Sequence, residues 1–295
     1  MSFTRKKINL TFKLGQDTNG VQYTFDGKYD TVTVTGLRIQ ATIANAGGAS
    51  MGEASVIVHG LSPSLRNQLS NVNRAADGRL SIQFNQLTIE AGDDIAGMSR
   101  IFQGQISQAV PDFGRAPDVS LVVTAHGGLL EAVKMTPALS FPGSADAAVI
   151  MQNLATENGY TFENNGVSVM LSTPYFPGSP RRQMMACATA ADINWTIDNG
   201  TLAIWPKGGS RGGSVPLISP GTGMIGYPSS GGINGLVNVR TLFNPQLAIG
   251  KTCQIQSELP FANGKFVLFD IAHDLESETP NGRWETSFSG STLAL

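Results

Sequence analysis

One stretch of the sequence, residues 172–206, restricts the possible folds more than any other. It reads STPYFPGSPRRQMMACATAADINWTIDNGTLAIWP. Ser179 followed by Pro180 is typical of a helix start, because serine caps free N–H groups there and proline has none to lose. Apolar and polar residues then alternate, and Asn199-Gly200 favours the tight turn of a hairpin. The stretch therefore predicts a capped helix followed by two antiparallel strands.

The same stretch contains a turn and an apolar stripe. The two prolines and the glycine of residues 174–178 predict an irregular turn before the helix. Cys187 lies within the helix, and we expect it to be buried as a small apolar residue. The stripe recurs at helical spacing and consists of Met184, Met185, Ala188 and Ala191.

The first part of the chain, residues 1–127, consists mostly of segments in which apolar and polar residues alternate. Such alternation predicts strands, and Gly36 predicts a break within one long strand. Ser62 and Pro63 predict one short helix. Strands at this spacing are typical of a barrel or a sandwich.

The remainder of the chain divides at two places. Residues 128–206 contain one pattern twice, namely serine cap, helix, strand, Asn/Asp-Gly turn and strand, with Ser144 and Ser179 as the caps. Residues 207–235 are rich in Gly, Ser and Pro, which predicts a linker or long loop with one short strand. Strand patterns return after residue 235.

The predicted fold is therefore mainly β with an α/β insert. A length of 295 residues is compatible with two or three domains. We expect a β domain over 1–127, a two-helix α/β domain over 128–206 and a second β domain over 207–295.

The charge composition excludes some classes of function. A net charge of −2 predicts no general attraction to nucleic acid or anionic membranes. Charged residues make up only 14%, so the surface is either covered by partners or rich in uncharged polar residues, and the sequence leaves both open. There is no signal-peptide core and no apolar run long enough to span a membrane, so we expect a soluble chain made in a cytoplasm, without membrane insertion.

Two glycine-rich motifs resemble catalytic or nucleotide-binding patterns. GGSRG at residues 208–212 matches a nucleophile elbow around Ser210, but the following GSVP cannot start the helix that this motif needs. GTGMIG at residues 221–226 matches a dinucleotide fingerprint, but YPSSGG follows and again excludes a helix. Both motifs therefore favour loops, and we expect neither a catalytic nor a cofactor-binding residue.

The candidate metal ligands are not grouped at ligand spacing. Asp93-Asp94 favours a solvated turn over a catalytic carboxylate pair, because adjacent loop residues point apart. Two cysteines give neither a zinc site nor a disulfide framework. We expect no metal site and structural roles for the three histidines, which are His59, His126 and His273.

Two basic clusters and one aromatic cluster could contact partners. Arg5-Lys6-Lys7 and Arg181-Arg182 favour solvated charges, with contact to an acidic partner as the alternative. For the aromatic cluster, core packing is favoured over a binding surface; its members are Tyr175, Phe176, Trp195 and Trp205.

Residues 172–206 also resemble the baseplate hub proteins of tailed, in particular contractile-tailed, bacteriophages. Other segments fit in the same order along the chain, and none of them is an active site. They are residues 100–106, 222–228, 242–245, 264–277 and Trp284.

The resemblance implies a structural protein of the virion, not an enzyme, and without cofactors. Such hubs are homotrimers with two β-barrel domains per chain that resemble tail-tube proteins. The ring joins the six-fold tail tube to the three-fold central spike, and DNA passes through its lumen without sequence-specific binding. The implied partners are the tail tube, spike, tape measure, wedge and other baseplate proteins. The implied place of assembly is the host cytoplasm.

Two alternatives remain open from the sequence. One is a hydrolase of the tail tip that degrades the cell wall with carboxylates brought together in the fold. The other is a different structural protein of the tube or the distal tail. The absence of a helix after either glycine-rich motif disfavours the enzyme, and the α/β insert disfavours a simple tube protein.

Overall fold

The structure, a computed structural model, describes residues 4–16, 21–25, 27–48, 50–70, 84–231 and 235–292. The chain forms two compact units. The first unit contains Met1–Ile43, Glu53–Gly127 and His273–Trp284, and the second contains Ala44–Gly52, Gly128–Ala272 and Glu285–Leu295. The chain is mainly β with few helices, as the sequence predicts.

The first unit consists of antiparallel strands and one short helix. Its elements are β1 (Lys7–Lys13), β2 (Thr31–Val34), β3 (Ile39–Asn45), β4 (Glu53–His59), α1 (Pro63–Leu69), β5 (Gln86–Asp93), β6 (Gly97–Asp112) and β7 (Ser120–His126). The strands follow the order β3-β4-β7-β6-β5-β1-β2, and within the described residues this path does not close into a barrel.

Alternation along the strands gives the first unit one apolar face. In β1 the side chains of Ile8, Leu10 and Phe12 are buried, while the residues between them are not. This is the pattern of an antiparallel sheet that covers a core on one side. The predicted break at Gly36 is confirmed, because this glycine has φ of 69° between β2 and β3.

The short helix of this unit begins as predicted. The Ser62 hydroxyl accepts a hydrogen bond from the Leu65 N–H, and Pro63 occupies the first turn. The sequence also predicts strand positions at Phe3, Leu80, Ile82 and Leu293 and an apolar helix position at Val72. These five residues lie outside the described residues.

The second unit contains the remaining helices and strands. They are α2 (Leu129–Val133), β8 (Leu139–Ser140), β9 (Ser144–Asp146), α3 (Ala147–Glu157), β10 (Thr161–Asn164), β11 (Met170–Ser172), β12 (Tyr175–Phe176), α4 (Pro180–Ala190), β13 (Ile193–Asp198), β14 (Thr201–Pro206), β15 (Leu217–Ile218), β16 (Met224–Ser230), β17 (Leu236–Leu242), β18 (Thr252–Ile255), β19 (Gly264–Ser277) and β20 (Trp284–Ser291). The last residues of β19 and the first of β20 belong to the first unit.

Two sheets organise the second unit. A three-stranded sheet has the order β10-β14-β13, with β13 and β14 forming the predicted hairpin at Asn199-Gly200. The other sheet contains β16-β17-β20-β19, and β18 pairs with both β19 and β15. Two short pairs, β8 with β12 and β9 with β11, complete the unit.

The predicted duplication over residues 128–206 is wrong in its pairing. A turn forms where expected, since Asn164 Oδ1 accepts from the Val167 N–H, but β10 and β11 do not form a hairpin. Instead β10 pairs in parallel with β14, while β11 pairs with β9. The cap of α3 is Asp146 rather than Ser144, because the Asp146 carboxylate accepts from the Ala148 N–H.

Two predicted loops contain strands. Residues 207–235 are not a linker, because β16 pairs along this segment with β17 and has a bulge between Ile225 and Ser229. The turn over residues 174–178 contains β12, which pairs with β8. Short or bulged edge strands of this kind carry too little alternation to be recognised in the sequence.

One strand supplies side chains to two separate cores of the second unit. Leu202 and Ile204 of β14 pack in a core formed with the helices α3 and α4. Ala203 and Trp205 point the other way, into a core formed with the strands of the second sheet. The Trp205 ring lies so close to Gly250 that an added Cβ atom would be 2.6 Å from it. The three-stranded sheet is therefore covered on both faces along β14.

The aromatic cluster predicted from the sequence is divided between core and surface. Phe176, Trp195 and Trp205 are buried, which confirms core packing for them. Tyr175 is 63% exposed.

We expect Trp195→Ala to lower the free energy of unfolding by about 3–5 kcal/mol, because the substitution leaves a cavity in a packed core. Chemical denaturation would measure the change. Tyr175→Ala is a matched control from the same part of the fold and should cost less than about 1 kcal/mol. Equal losses in the two variants would contradict the assignment of Trp195 to the core.

Candidate functional site

The glycine-rich motifs lie in a loop, a 3₁₀ turn and a strand. Ser210 lies in a loop between β14 and β15, and no helix follows it. The fingerprint-like segment begins in a 3₁₀ turn, Pro220–Thr222, and continues into β16. Neither segment therefore has the helix N-terminus that would bind a phosphate or activate a serine.

His59 and His273 are buried, and His126 is the last residue of β7. His59 Nδ1 lies 3.3 Å from the Asp118 carboxylate, which also accepts from Arg38 Nη2 at 3.1 Å. His273 is buried, and burial lowers its pKa to about 4. In the described part of the chain, no group of three or more His, Cys, Asp or Glu residues is placed to hold a metal ion.

The basic N-terminal cluster and the acidic turn contact each other within the first unit. Asp93 Oδ2 accepts from Thr4 Oγ1 at 2.8 Å and from Lys6 Nζ at 3.1 Å, while Lys7 contacts Asp94. Arg5 Nε donates to Glu278 at 2.7 Å. The side chains of Arg5, Lys6 and Lys7 are 63%, 36% and 38% exposed, so the charges are solvated as expected. Each cation also has an acidic neighbour from a distant part of the sequence.

Asp93 also fixes the turn that follows β5. Its carboxylate accepts from the backbone N–H groups of Ala96 and Ile95 at 2.8 and 2.9 Å. The Ala96 N–H, followed by the Thr4 hydroxyl and the Ile95 N–H, holds the pKa of Asp93 well below its usual range. This carboxylate is therefore a structural anion rather than a general acid.

The second unit contains a buried arginine cluster. Arg211 is 7% exposed. Its Nη2 and Nε donate to the two Glu163 oxygens at 2.7 and 3.1 Å, and its Nη1 donates to the Ile249 carbonyl at 3.0 Å. Asp198 Oδ2 lies 3.6 Å from Nη1. One guanidinium thus joins β10, the end of β13 and the loop before β18.

The electrostatics of this cluster follow from its geometry. The bidentate bond from Arg211 lowers the pKa of Glu163. Burial raises the pKa of Asp198, and the longer contact with Arg211 opposes this shift. Arg211 also donates its backbone N–H to the Gly250 carbonyl at 2.7 Å, so the loop is held by main chain and side chain together.

A second charged cluster contains Arg181 of helix α4. Arg181 Nη2 donates to the Ser50 carbonyl at 2.9 Å, and its guanidinium stacks 5.4 Å from the centre of the Trp195 ring. Burial, followed by the neighbouring Glu131, raises the pKa of Tyr160. Glu131 is buried with Tyr160 and Arg181 near it, and its Oε2 has no hydrogen-bond partner in the described structure. The prediction that Arg181 is solvated is wrong.

Both thiols are buried, each in a different core. Cys187 lies in the core formed with α3 and α4, and Cys253 lies in the core of the second sheet. Burial raises the pKa of each thiol to about 12. The predicted burial of Cys187 is confirmed, and neither thiol is activated as a nucleophile.

The second unit also has a cavity of about 500 Å³, which we call the tryptophan cavity. Its walls include Trp195, Trp205 and Ile249, and its rim includes Thr189 and Asp192. The rim also includes Lys207, which donates to Asn194 Oδ1 at 2.8 Å. These groups form a recess with both apolar and polar surface.

The charged clusters could not be found in the sequence. Glu163, Asp198 and Arg211 lie far apart along the chain and come together only because β10 pairs with β14. Arg181 donates to Ser50 in the loop between β3 and β4, and no local sequence pattern predicts that contact. The charged residues of these two clusters therefore join elements of the fold.

Solved structures with a similar fold come from phage tails and a related secretion system. The tail protein from Neisseria meningitidis MC58 superposes with a TM-score of 0.60 at 9% identity, covering 96% of each chain. The 43 kDa tail protein of prophage MuSo2 from Shewanella oneidensis gives 0.58 at 13% identity, again covering 96% of each chain. A component of the Escherichia coli type VI secretion system gives 0.58 at 7% identity, covering 87% of this chain and 74% of the other. The fold is thus that of a tail protein.

The sequence assigns the chain to a protein family. The family model described as Baseplate hub gp41 matches residues 17–285, so the chain belongs to the baseplate hub gp41 family. The resemblance to baseplate hubs is thereby confirmed, and it indicates a structural role in the phage tail baseplate. No curated protein matches the chain. Within the described residues, no helix is both long and apolar enough to cross a membrane.

We expect Arg211→Met to lower the free energy of unfolding by about 3–5 kcal/mol, because the change leaves two carboxylates near each other without their cation. Arg240→Met is the matched control: Arg240 bonds Glu285 at 2.9 Å, but its side chain is 59% exposed. The control substitution should lower the free energy of unfolding by about 1 kcal/mol or less, since exposed ion pairs are screened by water. Denaturant titration of both variants would show whether the buried arginine matters more.

Proposed function

We propose that this chain is the structural hub of a phage baseplate, in which three copies form a ring. The ring would join the six-fold tail tube to the three-fold central spike and would surround part of the DNA-ejection channel. It acts without catalysis and without a cofactor. Its partners would be the tube, spike, tape measure, wedge and other baseplate proteins, and assembly would take place in the host cytoplasm.

The observation that carries this proposal is the presence of two β regions in one chain. The first consists of the strands β1 to β7, and the second consists of β16, β17, β20 and β19. Each has one apolar face that covers a core and one polar face. Three chains with two such regions each would present six similar elements to a six-fold tube and three copies of every other element to a spike.

The polar face of the first sheet has an uncharged row across four strands. Thr33 pairs with Thr11, Thr11 pairs with Thr88, and Thr88 pairs with Gln103. The hydroxyls of Thr11 and Thr33 lie 3.0 Å apart. A row of hydroxyls and amides can face DNA without binding phosphates, whereas a basic row would retain them.

A similar row crosses the second β region. Asn238 pairs with Ser229 on one side and with Ser289 on the other. Ser289 Oγ donates to Asn238 Oδ1 at 2.7 Å. We propose that both rows face the lumen, so that each β region contributes a neutral surface to the channel.

The division into three domains is part of the proposal. The two separate cores of the second unit support an α/β domain over 128–206 beside a second β domain over 207–295. The first unit supports a β domain over 1–127, to which residues 273–284 add a late segment. We propose that both β domains form tube-like barrels in the ring, with the α/β domain braced against the second one by Arg211.

The ring predicts a particular mass. Light scattering of the purified chain should give three times the mass of 31.1 kDa, and electron microscopy of baseplates should show a three-fold ring of this chain. The same sample should not release fragments from peptidoglycan. A stable monomer that hydrolyses peptidoglycan would overturn the hub and favour the cell-wall hydrolase.

The lumen rows predict an effect of added charge. Thr11→Lys together with Thr88→Lys should slow DNA ejection several-fold at low salt, and high salt should reduce the effect, because lysines bind phosphates through counterion release. Gln152→Lys together with Asn153→Lys adds the same charge on the exposed side of α3 and is the control. Equal ejection rates for the two variants would contradict the proposal that the first row faces the lumen.

A further inference from the structure

A short segment of the second unit presents apolar side chains to solvent. It comprises residues 133–138, from the last residue of α2 to the residue before β8, and we call it the finger. Met135 is 98% exposed and Val133 is 55% exposed, with Pro137 and Ala138 exposed beside them. A methionine side chain that is almost fully exposed buries no apolar surface within its own chain. Exposed apolar residues grouped in this way are typical of contact sites.

The finger is fixed rather than loose. Gln183 is buried in α4, and its side-chain N–H donates to the Pro137 carbonyl at 2.9 Å. Thr136 Oγ1 donates to the Gly178 carbonyl at 3.2 Å. These bonds hold the finger in one conformation, so little conformational entropy is lost when Met135 enters a partner.

The tryptophan cavity is a suitable acceptor for such a side chain. Its lining combines Met185, which is 41% exposed, with the small accessible surfaces of Trp195 and Trp205. A flexible thioether makes favourable contacts with aromatic rings. The cavity volume of about 500 Å³ leaves room for Met135 and an apolar neighbour.

The finger and the cavity lie toward opposite ends of helix α4. Thr136 is held at Gly178, just before the helix begins, whereas Thr189 on the cavity rim lies in its last turn. About 14 Å of helix separates these two ends. A ring of identical copies needs two different contact surfaces per copy, one that donates and one that accepts. The positions of the finger and the cavity meet that requirement.

One charge pairing between the two ends is available. Lys134 adjoins Met135, so the finger carries a cation. On the cavity rim Asp192 is exposed, and Lys207 bonds the neutral Asn194 amide. A finger from another copy would bring Lys134 toward Asp192.

We propose that the finger of one copy inserts Met135 into the tryptophan cavity of the next copy, and that this contact closes the ring. The inference rests on the proposed trimeric hub and names the surfaces that would form it.

A cysteine pair tests the contact directly. In baseplates that contain Met135→Cys together with Thr189→Cys, mild oxidation should give bands of two and three chains on a denaturing gel. The two cysteines cannot join within one chain, because a disulfide needs Cα atoms closer than about 7 Å. Each single variant is the control and should give only the single-chain band.

The outcomes separate this inference from the function on which it rests. A three-fold ring in micrographs of the double variant without any cross-linked band would overturn the finger contact and leave the hub in place. Baseplates in which the wild-type chain forms no three-fold ring would overturn the hub itself.

A second pair of variants covers the case in which the cysteines disturb assembly. Met135→Asp should reduce incorporation of the chain into baseplates several-fold, since a carboxylate would be buried in the tryptophan cavity. Val149→Asp, at a half-exposed position of α3, should be incorporated like wild type. Equal incorporation of both aspartate variants would contradict the proposal.

Discussion

The fold of the second unit depends on one strand that is buried on both faces. Leu202 and Ile204 of β14 pack against helices, and Ala203 and Trp205 pack against strands. Because side chains alternate along a strand, a shift of one residue would move Trp205 into the helical core and Ile204 out of it. The register of β14 is therefore set from two sides, and the α/β part is joined to the second β region by packing rather than by a flexible linker.

Charged side chains strengthen the same connection at its edges. Arg211 ties the loop after β14 to β10, and Arg181 ties α4 to the loop that contains Ser50. Buried charges of this kind add little net stability compared with apolar packing, but they penalise any arrangement that leaves one of them without its partner. They therefore favour one arrangement of neighbouring elements, which suits a protein whose role in the baseplate is structural.

The sequence predicted the elements whose signals are local. Ser62, the turn at Asn199-Gly200 and the apolar stripe of α4 have the structures expected, because caps, turns and periodicity act within a few residues. Met185 is the exception in the stripe, since it is 41% exposed. Pairing between distant segments was not predictable, and this accounts for the parallel pairing of β10 with β14. The buried cluster around Arg211 was missed for the same reason, since its members meet only after that pairing has formed.

The positions of the two cysteines give each core of the second unit its own chemical reporter. Cys187 is enclosed by the helices and Cys253 by the strands, so an alkylating reagent reaches either thiol only when the surrounding core opens. If β14 couples the cores as tightly as its burial indicates, the two thiols are labelled at one common rate. If the helical core opens alone, Cys187 is labelled first. The cooperativity of the unit can thus be read from two native side chains, without any substitution.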